Sequence, residues 1–155
     1  LGLAFDPTIN GESLQFNVWT SALNTSAVRY GNANGSTTPT ATEGDTYNVA
    51  PTAFTAKKLY ANLATTTGAA KSYAFVLMQG SGSTSPSSLT ATVSNSTDGN
   101  DTSNTATVSD LDLLDLRVTP SGTPASTATS RAGWVSYIAP SSPSHALLLL
   151  LGVGE

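Results

Sequence analysis

The sequence lacks most of the side chains on which enzyme chemistry depends. Its 155 residues include no cysteine and one histidine, and only 10% of them are charged. Without cysteine there is no disulfide framework, no thiolate nucleophile and no sulfur ligand for a metal ion. This scarcity favours a protein that acts through its shape, and we expect it not to be an enzyme.

Basic residues are also few. Six Lys and Arg residues stand against ten Asp and Glu residues, for a net charge of −4 and a pI of about 4.7. Lys57 and Lys58 are the one adjacent basic pair. Nucleic acids and anionic membranes are both bound through basic surfaces. We therefore expect neither a nucleic acid nor a membrane among the partners.

Long apolar runs are missing as well. The longest run, Ala146–Leu151, is far too short to span a bilayer. Residues 1–11 have neither the basic start nor the apolar core of a signal peptide. Residues 146–153 read as a last strand that is apolar on both faces, so we expect it to be buried in the core or against another copy of the chain.

What the sequence does contain is a succession of short strand-like runs separated by turns rich in Ser, Thr, Gly, Pro and Asn. The clearest runs are 13–20, 57–65, 71–79, 88–94, 103–109, 111–119 and 132–139. Short strands at near-regular spacing predict an all-β, single-domain antiparallel β-sandwich or jelly roll with little or no helix. Segment 21–30 could form one short helical turn.

The two parts of the chain differ in character but form one domain overall. Residues 1–58 supply the N-terminal strand or strands and a long polar loop, 31–46, as part of the domain or as an arm to it. Residues 59–155 supply the core of the sandwich and the apolar C-terminal strand. Pro51 confines the weak strand around it to an edge or an extended arm.

The strand 13–20 has an unusual distribution of apolar residues. One face carries Leu14, Phe16 and Val18, and the other face is polar except for Trp19. Trp19 is therefore expected either to pack under a loop or at a sheet edge, or to contact a ligand or a neighbouring subunit.

Two later strands have informative patterns. The run 71–79 is apolar on both faces, which predicts a central strand that is covered on both sides. The run 111–119 changes phase between Leu113 and Leu114. That change predicts a β-bulge there or a strand that begins only at Leu114.

Candidate catalytic residues are isolated. The lone His145 follows Ser144 in a turn, and no orienting acid accompanies the pair as a triad requires. Asp110 and Asp112 are two residues apart and would share one face of a strand, whereas Asp115 falls after the phase change. No cluster of aromatic residues accompanies these acids, as it would in a glycosidase. We interpret the histidine as a surface or subunit-contact residue and the acids as turn and solvated positions.

Candidate ligand sites are incomplete. The turn Asp98–Asp101 resembles part of a calcium loop but lacks its full spacing and its bidentate Glu. The Gly-rich stretch 80–85 lacks the Lys and the following helix of a phosphate-binding loop. We therefore expect no metal ion and no cofactor.

The second half of the chain resembles a known family pattern. The segments KKLYANLATTTGAAKSYAFVLMQGS, SLTATVSNSTDGNDTSNTATVSDLDLLDLRVTPSGTPAS and AGWVSYI are similar to structural proteins of tailed-phage and related virions. The resemblance covers residues 59–138. It implies the jelly roll of capsid decoration proteins, spikes and fibre heads, which are often trimers, and it supplies no catalytic residue.

From this resemblance we expect a non-enzymatic virion structural protein, a capsid decoration or spike protein on the outer surface of the particle. Its partners would be itself, as a homo-oligomer with a trimer favoured, and the major capsid protein or other virion proteins. The alternative is a carbohydrate- or receptor-binding module of a tail fibre or secreted adhesin. That alternative needs exposed aromatic residues, for which the candidates are Trp19, Tyr30, Tyr47 and Trp134.

Overall fold

The structure, a computed structural model, describes residues 9–127 and 129–140. His145 and the apolar run Ala146–Leu151 lie outside these residues. The described strands are β1 (Glu12–Trp19), β2 (Arg29–Asn32), β3 (Gly35–Thr37), β4 (Asn48–Val49), β5 (Phe54–Leu63), β6 (Ser72–Gly80), β7 (Ser85–Ser94), β8 (Asp98–Val108), β9 (Leu113–Ser121) and β10 (Ser130–Tyr137). One 3₁₀ helix, Glu43–Thr46, is the sole helical element of the described residues.

The strands form two sheets that pack face to face. The first sheet has the order β3-β1-β10-β5-β8, and the second has the order β2-β9-β6-β7, with β4 also paired to β9. Every pairing is antiparallel except that of β1 with β3. The expectation of an all-β sandwich is confirmed.

The strand order is that of a jelly roll. The chain folds as one long nested hairpin in which β6 pairs with β7, β5 with β8, β2 with β9 and β1 with β10. The hairpin then rolls up, so that β10 also pairs with β5 and β9 with β6. Rolling of this kind places two Greek keys in two facing sheets and buries the apolar side chains between them.

The N-terminal third is more ordered than its polar composition predicts. The short helical turn expected within 21–30 does not form, because Asn24 Oδ1 accepts hydrogen bonds from the backbone N–H groups of Ser26 and Ala27 in an Asx turn. The long polar loop 31–46 contains β3 and the 3₁₀ helix. Pro51 interrupts the weak strand, as predicted, and leaves β4 only two residues long.

Strand β1 packs on the core with the face that carries Trp19 among polar residues. Trp19 and Asn17 are buried, whereas Phe16 and Val18 face solvent. The Trp19 ring packs against Phe75 with 5.9 Å between the ring centroids. The prediction that Trp19 lies at an edge, under a loop or at a contact is therefore wrong, because its large apolar area is buried in the core and strand alternation then turns Phe16 outward.

The other two strand predictions are confirmed in the second sheet. Strand β6 lies between β9 and β7 with both faces buried. Strand β9 begins at Leu113, while Leu111 is in the preceding turn with a φ of 64° and a side chain that is 67% exposed. The phase change therefore marks the start of a strand and not a bulge within one.

Gly31 on β2 is required by the position of Trp19. A Cβ atom on Gly31 would overlap the Trp19 indole, which is held in the core. We expect Gly31→Ala to lower the free energy of unfolding by about 1–3 kcal/mol, since overpacking forces neighbouring groups to move. Gly44→Ala is the control, because a Cβ there meets no atom within 4 Å. Urea unfolding of both variants measures the difference, and equal stabilities would contradict this account.

Candidate functional site: an exposed apolar face of the first sheet

The outer face of the first sheet carries the exposed aromatic residues. Phe16 on β1 lies opposite Gly133 on β10, which in turn lies opposite Tyr60 on β5. Two residues further along β1, Val18 projects from the same face of the sheet and lies opposite Arg131 on β10. We call the surface formed by Phe16, Val18, Gly133 and Tyr60 the Phe16–Tyr60 face.

Exposure of these side chains is high for apolar groups in the middle of a sheet. The Phe16 side chain is 50% exposed, that of Tyr60 is 51% exposed and that of Val18 is 38% exposed. Gly133 between the two aromatic residues has no side chain, and a Cβ there would lie 3.5 Å from Phe16 Cδ1. The Phe16 ring therefore leans over the Gly133 backbone, which leaves a broad apolar surface in contact with water.

A β-bulge in β5 gathers cations beside this face. The register with both neighbouring strands shifts at Lys58, whose φ is 56°. Lys57 Nζ lies 2.6 Å from Glu12 Oε1, and Lys58 Nζ lies 3.9 Å from the same oxygen. Lys57 also lies over the Tyr137 ring, 4.6 Å from its centroid. The hydrogen bond from Lys57 is the main reason that the pKa of Glu12 is lowered.

The opposite end of the face has a polar chain of contacts. Arg131 donates to Asn62 Oδ1 at 3.2 Å, and Asn62 Nδ2 donates to Asp98 Oδ1 at 2.7 Å. Hydrogen bonds from Asn62 and Thr97 lower the pKa of Asp98. An apolar centre with a paired polar rim is the usual anatomy of a protein contact surface.

The three acids singled out in the sequence are not brought together. Asp110 is exposed in the turn before β9. Asp112 is used locally, since its Oδ2 accepts the Ser109 N–H at 2.8 Å. Asp115 lies on the outer side of the second sheet, opposite Met78, and is fully buried. The interpretation of Asp110 as a turn residue is confirmed, and the interpretation as solvated positions is wrong for both Asp112 and Asp115, which are buried.

Asp115 shares a hydroxyl group with a second carboxylate. Thr84 Oγ1 lies 2.9 Å from Asp115 Oδ1 and also makes a short hydrogen bond with Glu43 of the 3₁₀ helix. A hydroxyl group has a single proton and can donate to only one of two carboxylates. The other carboxyl group must then hold a proton and donate it to Thr84. Asp115 Oδ2 has no hydrogen-bond partner among the described residues.

The environment identifies Asp115 as the protonated group. Burial raises its pKa, and the nearby Glu43 raises it further, whereas the Thr84 hydroxyl, when it donates to the ionised form of Asp115, and the charge of Arg117 lower it. The resulting pKa is about 7. Tyr30 lies in the same region, and burial together with Glu43 raises its pKa too. The arrangement fastens the 3₁₀ helix to the sheet through a carboxylic acid that is neutral at acidic pH.

The calcium-like turn has a structural role that the sequence pattern did not reveal. Asp101 is buried, and its carboxylate accepts the backbone N–H groups of Thr90, Ser103 and Asn104 at 3.0–3.2 Å. It also accepts the Asn104 side-chain amide at 3.0 Å. Burial opposes ionisation, but the donors of Asn104, Thr90 and Ser103 outweigh it and lower the pKa of Asp101 to about 2. This carboxylate joins β8 of one sheet to β7 of the other.

The aromatic candidates for ligand binding are not displayed on the surface. Trp19 and Trp134 are 1% and 3% exposed, and Trp134 Nε1 donates to the Ala33 carbonyl at 3.0 Å. Tyr30 and Tyr47 are half-buried. Trp19 and Trp134 therefore do not meet the condition of the carbohydrate-binding alternative, and among the described residues the exposed aromatic rings are those of Phe16 and Tyr60. Strand alternation could not identify them, because either face of β1 could have been the buried one.

His145 lies outside the described residues. Within residues 9–127 and 129–140 no three His, Asp or Glu side chains are placed to hold a metal ion. No helix in this part of the chain has the length and hydropathy needed to cross a bilayer. No protein-family model, curated protein or solved structure matches the chain.

Loss of the Asp101 carboxylate should destabilise the fold. We expect Asp101→Ala to lower the free energy of unfolding by about 2–4 kcal/mol, because buried N–H donors are left without an acceptor. Asp110→Ala is the control and should change it by less than about 0.5 kcal/mol. Since the folded pKa of about 2 lies below the ordinary value of 3.8, this contribution is complete above pH 3.8 and is lost as the pH falls through 2. Equal destabilisation by the two variants in urea would argue against the assigned role.

Asp115 should give the opposite pH dependence. Its folded pKa of about 7 exceeds the ordinary 3.8, so the folded state binds a proton more tightly and its stability falls as the pH rises from about 4 to about 7. Asp115→Asn replaces the acid by a neutral group of similar shape that can still donate to Thr84. We expect the variant to gain stability relative to the parent at pH 8 and to show no such gain at pH 4. Unfolding curves at the two pH values measure this, and a gain that is independent of pH would refute it.

Proposed function

We propose that the protein is a non-enzymatic structural protein of a virion, a capsid decoration or spike protein on the outer surface of the particle. The observation that supports this proposal best is the Phe16–Tyr60 face, where two aromatic side chains and a valine are exposed together on the outer face of the first sheet. Large exposed apolar patches with polar rims are typical of protein interaction surfaces. The resemblance of residues 59–138 to structural proteins of virions is the reason for proposing a virion as the location.

The first partner is another copy of the same chain, in a homo-oligomer with a trimer favoured. Two aromatic side chains at the centre of the face, Phe16 and Tyr60, provide the kind of anchors that dominate contact energies. Gly133 between them has no side chain, and the Phe16 ring leans over its backbone toward the strand that carries Tyr60. Burying this face would remove apolar area from water, and a closed ring of subunits would leave no copy of the face exposed.

The second partner is the major capsid protein or another virion protein, at a surface other than the Phe16–Tyr60 face. The chain carries a net charge of −4, and the border of the Phe16–Tyr60 face has cations and acids in pairs, Lys57 and Lys58 with Glu12 and Arg131 near Asp98. A chain of net negative charge is repelled by a packaged genome, which supports a position on the outside of the particle.

A carbohydrate- or receptor-binding module remains the alternative, and one observation favours it. Tyr60 presents a half-exposed ring beside the polar side chain of Asn62, and exposed rings beside hydrogen-bonding groups are also how proteins stack sugar rings. Binding on a glycan array that is lost in Tyr60→Ala would favour this alternative over the structural role.

The oligomer provides the direct test of the proposal. We expect the purified chain to be a homo-oligomer by light scattering, and Phe16→Glu to raise its dissociation constant roughly 30-fold or more, since an anchor lost from an interface centre costs at least about 2 kcal/mol. Leu111→Glu is the matched control, because Leu111 is 67% exposed but lies in the turn before β9. A monomeric parent, or equal effects of the two variants, would refute this arrangement.

The proposed location on a virion requires a separate measurement. Antibody labelling in electron microscopy of a purified particle sample should place the protein on the outside of virions. A protein found only in the soluble fraction, with particles unlabelled, would refute the virion assignment even if the oligomer forms.

A further inference from the structure

The end of the sandwich at which the described chain stops contains an apolar trough. A groove of about 450 Å³ opens there between the two sheets. Its apolar wall is formed by Val49, Ala50, Phe54, Leu114, Trp134 and Ile138. A second hollow of about 230 Å³, which Val108 and Tyr137 help to line, shares Phe54 and Ile138 with the first. The two hollows together form what we call the trough.

Several apolar side chains that line the trough are exposed to water. Val49 is 58% exposed and Ile138 is 49% exposed. Phe54 packs against the core and stacks on Trp134 with 5.7 Å between the ring centroids, but it is only partly buried. The opposite wall has Gln15 and Asn34, and Asn34 Nδ2 donates to Gln15 Oε1 at 2.8 Å. These two amides therefore satisfy part of each other's hydrogen bonding, so the trough offers mainly apolar contacts to an occupant.

The C-terminal end of the described chain lies beside the trough. The described chain ends at Pro140, two residues after Ile138, which lines both hollows. The next five residues, 141–145, can span roughly 16–18 Å when extended, and they lead to the longest apolar run of the sequence, Ala146–Leu151. The run therefore begins within reach of the trough. In an extended segment alternate Leu side chains point the same way, so one side of the run presents a row of them.

We propose that residues 146–151 of the same chain bind in the trough and complete the core at this end of the sandwich. The apolar run covers Val49, Phe54 and Ile138, and its own Leu side chains leave water in the same step. The inference goes beyond the proposed function and does not depend on it, because it concerns contacts within one chain.

Hydrogen exchange of the full chain tests the contact. We expect amides of residues 146–151 to exchange at least about tenfold more slowly than in a free peptide of the same sequence. Val49→Asp places a charge in the trough and should abolish this protection. Val18→Asp makes the same substitution on the Phe16–Tyr60 face and should leave the protection unchanged. Free exchange in the parent chain, or equal loss in both variants, would overturn the proposal.

Cross-linking tests which copy supplies the segment. The chain has no cysteine, so Val49→Cys combined with Leu149→Cys introduces the only two thiols. We expect oxidation to give a cross-linked monomer on a non-reducing gel, since a disulfide forms only when the two Cα atoms approach within about 7 Å. Tyr60→Cys with Leu149→Cys is the control and should remain uncross-linked. A cross-linked dimer would assign the trough to another copy, and equal reaction of the two pairs would show no specific docking; either result overturns the proposal.

Discussion

The burial of Trp19 is the constraint on which the rest of the structure depends. Its indole occupies the core against Phe75, in a space that exists because Gly31 has no side chain. Side chains of a strand alternate strictly between the two faces of a sheet, so Trp19 and Phe16 lie on opposite faces and only one of them can face the core between the sheets. The larger ring is in the core, and the exposed Phe16–Tyr60 face is the direct consequence.

The jelly-roll topology explains why this face is assembled from distant parts of the chain. Strand β10 lies between β1 and β5 because the outermost pair of the nested hairpin, β1 with β10, rolls onto the pair formed by β5 and β8. Gly133 is thereby placed between Phe16 and Tyr60. The bulge at Lys58 adds a residue to β5 and turns two consecutive lysines toward Glu12, so the ion pair lies beside the aromatic rings.

The sequence was sufficient to predict the fold class, the central position of β6 and the break before β9, because these depend on local alternation and turn chemistry. It was insufficient for β1, where alternation allowed either face to be buried and the choice was made by long-range packing against Gly31. Burial of Asp115 was hidden for the same reason, since the covering segment with Glu43 is far away in the sequence. The Asp101 site has a signal that could have been used, because an Asp side chain in a turn commonly accepts the backbone N–H two residues on, which here is that of Ser103.

The two buried acids show why scattered carboxylates need not indicate chemistry. Asp101 is surrounded by N–H donors and ionises readily, whereas Asp115 faces a second carboxylate across one hydroxyl group and stays neutral below its raised pKa of about 7. Each joins segments that the β-ladders leave unconnected: β8 to β7 in one case, and the 3₁₀ helix to β9 in the other. Both acids are therefore committed to holding the fold together. The Phe16–Tyr60 face and the trough lie on opposite sides of the β1–β10 pair, so each strand contributes alternate residues to both surfaces.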